Sequence, residues 1–164
     1  VAIKEGYDVK VSEVHGMSQR GGSVVTYVKY GDKVYSPIID RGEADLILAF
    51  EMLEAMRALP YLKKGGKMIA NTQKMNPMPV ITGAMEYPEN IEEKLSAKIN
   101  LQAVDALSLA EKAGTIKAVN VVLIGLLAKS MDVDKNVWID VIKETVPEKF
   151  LDVNIKAFEL GYEL

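Results

Sequence analysis

The stretch ADLILAFEMLEAMRALPYLKKGGKMIAN, residues 44–71, decides the fold. Its opening run, ADLILAF, is almost continuously apolar, which is typical of a β-strand covered on both faces. Residues 51–59 then have helical spacing of apolar side chains, and Pro60 ends that helix. After a turn at Gly65-Gly66, residues 67–71 have the composition of a second strand. Strand, helix and strand together predict a right-handed βαβ crossover.

Further elements are predicted on both sides of this unit. Two β-rich stretches precede it at residues 7–14 and 23–30, and Gly31-Asp32 suggests a tight hairpin leading into a strand at 33–35. After it we expect a short strand at 80–81, a helix at 89–97 begun by Pro88, a strand at 99–104, and helices at 106–113, 118–129, 135–145 and 147–160. The order predicts an α/β fold: one Rossmann-like domain over residues 1–164, with three α/β/α layers around a mixed, mainly parallel sheet.

Composition excludes several classes of function. The chain has 164 residues, 49% hydrophobic and 26% charged, as expected for a folded globular protein. A net charge of -3 and a pI near 5.3 give no basic footprint for nucleic acid. The longest apolar stretch, residues 118–128, is too short to span a membrane, so no membrane partner and a cytoplasmic location are expected. With no cysteine and one histidine, the chain offers no thiolates for an iron–sulfur cluster and no zinc site.

The segment HGMSQRGGS, His15 to Ser23, is the first candidate for chemistry. Two glycines allow a ligand or a partner backbone to approach closely, and Arg20 offers a planar fork of donors for a carboxylate or phosphate. Gln19 and Ser23 add polar groups beside it. His15 could line the site or exchange protons near neutral pH. The alternative is a tight connection in which Arg20 pairs with a nearby acid and the glycines relieve backbone strain.

A second group of candidates follows the predicted parallel strands. Ligands usually bind in the crevice at the carboxyl ends of such strands, where Glu51, Asn71 and Thr72 fall. Glu51 and Glu13 are acid–base candidates, although Glu51 is equally explained by the first turn of its helix. Asn71 and Thr72 could bind polar groups of a ligand, but both are also ordinary turn residues at a strand end. Several methionines in the middle third of the chain suit core filling or an adaptable interface.

Four quoted segments carry a family resemblance that covers essentially the whole chain. They are YDVKVSEVHGMSQRGGSVVTYVKYGDKVYSPII (7–39), GEADLILAFEMLEAMRALPYLKKGG (42–66), AVNVVLIGLL (118–127) and VPEKFLDVNIKAFELGY (146–162). Together they resemble the small, or beta, subunits of indolepyruvate:ferredoxin oxidoreductases. The Gln-Arg-Gly-Gly element is shared more widely with the gamma domain of pyruvate and other 2-oxoacid oxidoreductases.

The resemblance implies a role in a larger complex. In that family a large, or alpha, subunit holds thiamine diphosphate, Mg and the iron–sulfur clusters, so this chain alone is expected to bind no cofactor and to be inactive alone. The complex oxidatively decarboxylates an aryl 2-oxoacid, passes electrons to ferredoxin and forms an acyl-coenzyme A product. The family's loop maps onto residues that we expect to face the large subunit's active-site cleft: His15, Gly16, Met17, Gln19, Arg20, Gly21 and Gly22.

One departure from the family pattern and three alternatives remain open. Family members usually begin with a strand and a G-x-G-G-Q-G turn, and no such turn occurs here, so we expect the chain to start after it. One alternative is a free-standing Rossmann-like module that binds a nucleotide or coenzyme A. A second is the gamma subunit of a pyruvate- or 2-oxoglutarate-type oxidoreductase. A third is a subunit with a purely structural role in assembly.

Overall fold

The computed structural model describes residues 1–13 and 24–164. Its strands are β1 (Asp8–Glu13), β2 (Thr26–Gly31), β3 (Ala44–Ala49), β4 (Leu62–Asn71) and β5 (Asn100–Val104). Its helices are α1 (Met52–Ala58), α2 (Met78–Ile81), α3 (Ile91–Ser96), α4 (Ala106–Ala113), α5 (Val119–Lys129), α6 (Lys135–Thr145) and α7 (Leu151–Tyr162), with short 3-10 segments at Leu59–Tyr61, Ile116–Ala118 and Glu148–Phe150. The α/β class is confirmed.

The parallel strands form a sheet in the order β3-β4-β5. The first two are joined through α1, which confirms the predicted strand–helix–strand unit. Strands β1 and β2 pair with each other antiparallel and form a separate two-stranded ribbon. Within the described residues, the antiparallel pair therefore stands apart from the parallel sheet.

Alternation along β4 produces the three layers. Met68 and Ala70 point to one side, where they pack with buried residues of α1 and α3 such as Ala55 and Leu95. Ile69 points to the other side, into the larger core built by α4, α5, α6 and α7. Because both faces of the strand are covered, Met68, Ile69 and Ala70 are all fully buried, as expected for a central parallel strand.

Helices α5 and α7 approach each other through two glycines. A Cβ at Gly125 would lie 2.2 Å from the Phe158 carbonyl oxygen, and one at Gly161 would lie 2.0 Å from the Val122 carbonyl oxygen. Both contacts are with backbone, which cannot rotate away. Gly125 and Gly161 thus together let the two helices pack closely.

Three sequence predictions about local structure are wrong. Residues 33–35 form no strand, because the Val34 N–H donates to the Asp8 carboxylate (2.9 Å) and not to a neighbouring strand. Residues 80–81 lie in α2, whose first turn accommodates the adjacent prolines. Gly65 and Gly66 lie within β4, where the pairing with β3 shifts register and Gly65 has φ of 82°. Glycine allows that left-handed conformation without interrupting the strand.

The remaining helices agree closely with their predicted bounds. The helix expected at 89–97 is shorter, since Asn90 has φ of 55° and α3 begins at Ile91. The helix expected at 147–160 begins with a 3-10 turn after Pro147. Among the described residues, the helices are all too short or too polar to cross a membrane.

Candidate functional site

Asn71 joins the carboxyl ends of all three parallel strands. Its side chain, fully buried, donates to the Phe50 carbonyl after β3 (3.3 Å) and accepts from the Ala106 N–H after β5 (3.2 Å). It also donates to the Gln73 side chain at 3.3 Å. The next residue continues the link, because the Thr72 N–H donates to the Val104 carbonyl at 2.9 Å. These bonds fix the geometry of this edge of the sheet, and the role of Asn71 toward a ligand stays a prediction.

Glu51 is a second buried polar side chain at the same edge, with 2% of its surface exposed. One carboxylate oxygen caps α1 by accepting from the Glu54 N–H at 3.0 Å. The other accepts from the Met75 N–H (3.2 Å) and from the Tyr87 hydroxyl. Glu51 therefore holds two points of the segment that follows β4 against the start of α1. The capping role is the structural alternative that the sequence had left open.

Tyr87 is a member of this cluster that the sequence analysis did not identify. Burial raises the pKa of its hydroxyl above the ordinary value, and the hydrogen bond to the Glu51 carboxylate raises it further. Lys74 lies over its ring, with the ammonium 5.7 Å from the ring centre. Neither Tyr87 nor Lys74 belongs to a periodic apolar pattern, and both are near prolines and far from Glu51 in the sequence. The sequence therefore does not indicate that they lie in this cluster.

A shallow cavity of about 510 Å³ opens beside these residues. Thr72 lines it together with Met52 and Lys74 from the same edge of the sheet, and α3 forms its other wall with Glu92, Glu93 and Ser96. The lining combines one ammonium group, two carboxylates and hydroxyl groups. It therefore does not favour ligands of one charge sign. The structure brings three of the predicted site residues together at the carboxyl ends of the parallel strands: Glu51, Asn71 and Thr72.

The other predicted site residues, His15, Gly16, Met17, Gln19, Arg20, Gly21, Gly22 and Ser23, lie outside the described residues. Their assignment stays a prediction. Glu13 ends β1 and pairs across the ribbon with Thr26, so it belongs to a different part of the fold from Glu51.

The methionines divide into two groups. Met52 and Met68 are buried and Met56 packs against the same core, which is ordinary core filling. Three others, in the segment between β4 and α3, are more than half exposed: Met75, Met78 and Met85. The adaptable side chains are therefore on the surface beside the candidate site.

The described part of the chain contains no group of three or more His, Asp or Glu side chains placed to hold a metal ion. None of the 164 residues is a cysteine, so none of them supplies a thiolate for an iron–sulfur cluster. The residues of this chain therefore do not fit such a cluster.

A family model described as pyruvate ferredoxin/flavodoxin oxidoreductase matches residues 1–164. The chain belongs to this family. Members named indolepyruvate oxidoreductase subunit IorB are similar along nearly its whole length: that of Pyrococcus horikoshii is 45% identical, covering 98% of this chain and 82% of its own length. The IorB of Archaeoglobus fulgidus is 40% identical with the same coverage. The resemblance seen in the sequence is confirmed, and the chain is a subunit of a 2-oxoacid:ferredoxin oxidoreductase.

Solved structures within the oxidoreductase family show the same fold. The gamma subunit of a keto/oxoacid ferredoxin oxidoreductase from Geobacter sulfurreducens superposes with a TM-score of 0.68 at 23% identity, covering 98% of this chain and 82% of that one. A pyruvate oxidoreductase subunit from Thermotoga maritima gives 0.69 at 21% identity, covering 99% and 82%. At these identities the likeness supports the fold alone.

Proposed function

We propose that this chain is the small subunit of an indolepyruvate-type oxidoreductase and completes the active-site cleft of a large subunit. The single observation that carries the proposal is the 40–45% identity to IorB subunits over 98% of the chain. Relatives from pyruvate and ketoisovalerate enzymes are more distant, since the common gamma subunit of Thermococcus litoralis is 26% identical. The aryl 2-oxoacid class is therefore favoured over pyruvate.

The proposed reaction breaks the bond between the carboxylate and carbonyl carbons of the 2-oxoacid and releases carbon dioxide. The acyl carbon then forms a thioester with coenzyme A, the thiol proton is released, and the electron pair passes to ferredoxin. Thiamine diphosphate, Mg and the clusters that support this chemistry belong to the large subunit in the proposal. That division is compatible with a chain that has no cysteine. A cytoplasmic location is part of the same proposal.

Arg20 is the side chain of this subunit that we assign to the substrate's anionic end. A guanidinium forms two parallel hydrogen bonds with a carboxylate, which a 2-oxoacid carries, or with a phosphate of coenzyme A. Gly21 and Gly22 beside it let the substrate or the large subunit's backbone come close. His15 lines the same site in this proposal.

The test is reconstitution with the large subunit. We expect turnover of indolepyruvate with coenzyme A and ferredoxin by the complex, and none by either subunit alone. Arg20→Ala should lower kcat/KM by at least about tenfold, because a charge-assisted hydrogen bond contributes roughly 1.5–3 kcal/mol. Arg41→Ala is the matched control, since Arg41 is exposed and outside the proposed site. Its activity should equal that of the wild type.

Three outcomes would contradict the proposal. Faster turnover of pyruvate or of 3-methyl-2-oxobutanoate than of indolepyruvate would overturn the aryl assignment. Thermal stabilisation of this chain by coenzyme A or a dinucleotide without the large subunit would favour a free-standing binding module. Full activity of the Arg20→Ala complex would leave the subunit with a structural role only.

A further inference from the structure

The β1–β2 ribbon carries a continuous apolar face. Its register places Val9 opposite Tyr30 and Val11 opposite Val28, so these side chains lie on the same side. The Tyr7 ring extends the row, with its centre 5.5 Å from that of Tyr30. We call these residues, Tyr7, Val9, Val11, Val28 and Tyr30, the apolar ribbon face.

This face points to solvent in the isolated chain. Val11 and Val28 are 52% and 53% exposed, and Tyr7 and Tyr30 are 41% and 45% exposed. Only Val9 is half-buried. Single exposed apolar residues are normal on protein surfaces, whereas a contiguous apolar row such as this one is often functional.

The opposite face of the ribbon is polar, and its side chains contact the segment that follows β2 and the ring of Tyr61. The Asp8 carboxylate accepts from the Val34 N–H at 2.9 Å, and the Lys29 ammonium donates to the Ile38 carbonyl at 3.3 Å. The Tyr27 ring lies 6.2 Å from that of Tyr61. These contacts are all made by the polar face, and the apolar face is left turned to solvent.

We propose that the apolar ribbon face is a docking surface for the large subunit of the oxidoreductase complex. The inference rests on the proposed function, and it adds a surface that the proposed function does not define. The composition fits a subunit interface, whose core is rich in tyrosine and poor in charge. The position fits as well, because β1 leads directly into the segment assigned to the large subunit's cleft and β2 leads directly out of it.

A second copy of this chain is a poorer occupant. Four of the five side chains are about half exposed, and so short a row falls well below the ~800 Å² that each partner buries in a stable interface. Self-association through this face alone would therefore be too small. The large subunit, in contrast, contacts the connection between the strands in the proposed function and so adds the missing area.

The test exploits the direct pairing of Val11 with Val28. The double variant Val11→Glu/Val28→Lys places opposite charges across the ribbon, which preserves strand pairing while it removes the apolar face. We expect its affinity for the large subunit to fall by at least about 100-fold, since the interface would have to bury an ion pair where the wild type buries two valines. The chain alone should keep its wild-type circular dichroism and Tm.

Ile116→Lys is the matched control, because Ile116 is 57% exposed and lies on a different element. It should assemble like the wild type. Wild-type affinity of the double variant, in a system where the unmodified subunits bind and turn over indolepyruvate, would overturn the docking surface and leave the proposed function intact. A homodimer of the isolated chain that the double variant dissociates would overturn it in favour of a second copy. Failure of the unmodified subunits to assemble would instead refute the proposed function.

Discussion

Strands β4 and β1 both alternate along their length, but they bury different kinds of side chains. In β4, Met68 and Ile69 point to opposite sides and both are covered by helices. In β1, the polar Asp8 and Lys10 are half-buried, as is Val9, while Val11 is exposed. Both faces of β4 are therefore covered by helices of this chain, whereas the apolar face of the ribbon is exposed and is the surface that we propose another subunit covers.

Polar groups show the same contrast. Among the described residues, the buried polar or charged side chains are Glu51 and Asn71, and both have hydrogen-bond partners for their oxygens. They satisfy backbone groups at the strand ends, which would otherwise be buried without partners. In the ribbon, by contrast, the polar side chains of Asp8 and Lys29 bind backbone groups of the segment that follows β2. The comparison predicts large effects of substitution in the central sheet and its helices, and small ones in the ribbon.

The largest effect is expected at the contact between α5 and α7. Gly161→Ala would place a methyl group against the Val122 carbonyl, so the helices must separate. We expect a loss of at least about 3 kcal/mol in the free energy of unfolding, a large share of the stability of a small protein. Urea denaturation of the isolated chain measures it.

Gly31→Ala is the matched control in the ribbon. Nothing lies within 4 Å of a Cβ at that position, and its φ is not positive. The free energy of unfolding should change by less than about 0.5 kcal/mol. Equal effects of the two substitutions would show that the helix contact is not close, and would remove the distinction between the two regions.

The sequence predicted the parts of the fold that depend on local apolar spacing. It failed where contacts between residues far apart in the sequence decide the structure. Helices α4 and α6 were predicted with nearly correct bounds because their apolar spacing reports directly on burial, and the βαβ unit was predicted in its order, although β4 begins at Leu62 and not at residue 67. The strand expected at 33–35 does not form, because the Val34 N–H donates to the Asp8 side chain and not to the backbone of a neighbouring strand. The exposure of Val11 was not predictable either, since alternation shows that a strand has two faces but not which one packs.

The candidate site was predicted in part. A strand-end rule placed Glu51, Asn71 and Thr72 at one edge, and the structure brings them together there. Tyr87 was missed because its contact with Glu51 spans 36 positions and depends on how the intervening segment folds. The function itself came from the chain-long resemblance, as the bonds at this edge alone would equally suit a structural role.

A smaller effect is expected at Glu51, the buried polar residue that caps α1. Glu51→Ala removes the acceptor for the Glu54 and Met75 N–H groups, which then lose their partner. We expect a cost of about 2 kcal/mol, since a lost cap and an unsatisfied donor each contribute about 1 kcal/mol. Hydrogen exchange should also quicken at Met75.

Tyr87→Phe separates the contribution of the α1 cap from that of the contacts between Glu51 and the segment after β4. It removes one donor to Glu51 and leaves the cap intact, so its cost should be about 1 kcal/mol, less than that of Glu51→Ala. Unchanged stability and unchanged exchange at Met75 in Glu51→Ala would show that the segment after β4 is held by other contacts.

The smallest effect is expected in the ribbon, at Asp8. The hydrogen bond from Lys10 lowers the pKa of this carboxyl below 3.8, and the Val34 N–H lowers it further. Because the pKa is lower in the folded chain than in the unfolded one, the stabilisation is present above pH 3.8 and is lost as the pH falls through the folded value. The Val34 amide resonance should therefore titrate with Asp8 in NMR spectra, while the Ile69 amide in the central sheet should not follow it. In Asp8→Asn the Val34 titration should vanish, and its persistence there would show that a different group holds the polar side of the ribbon.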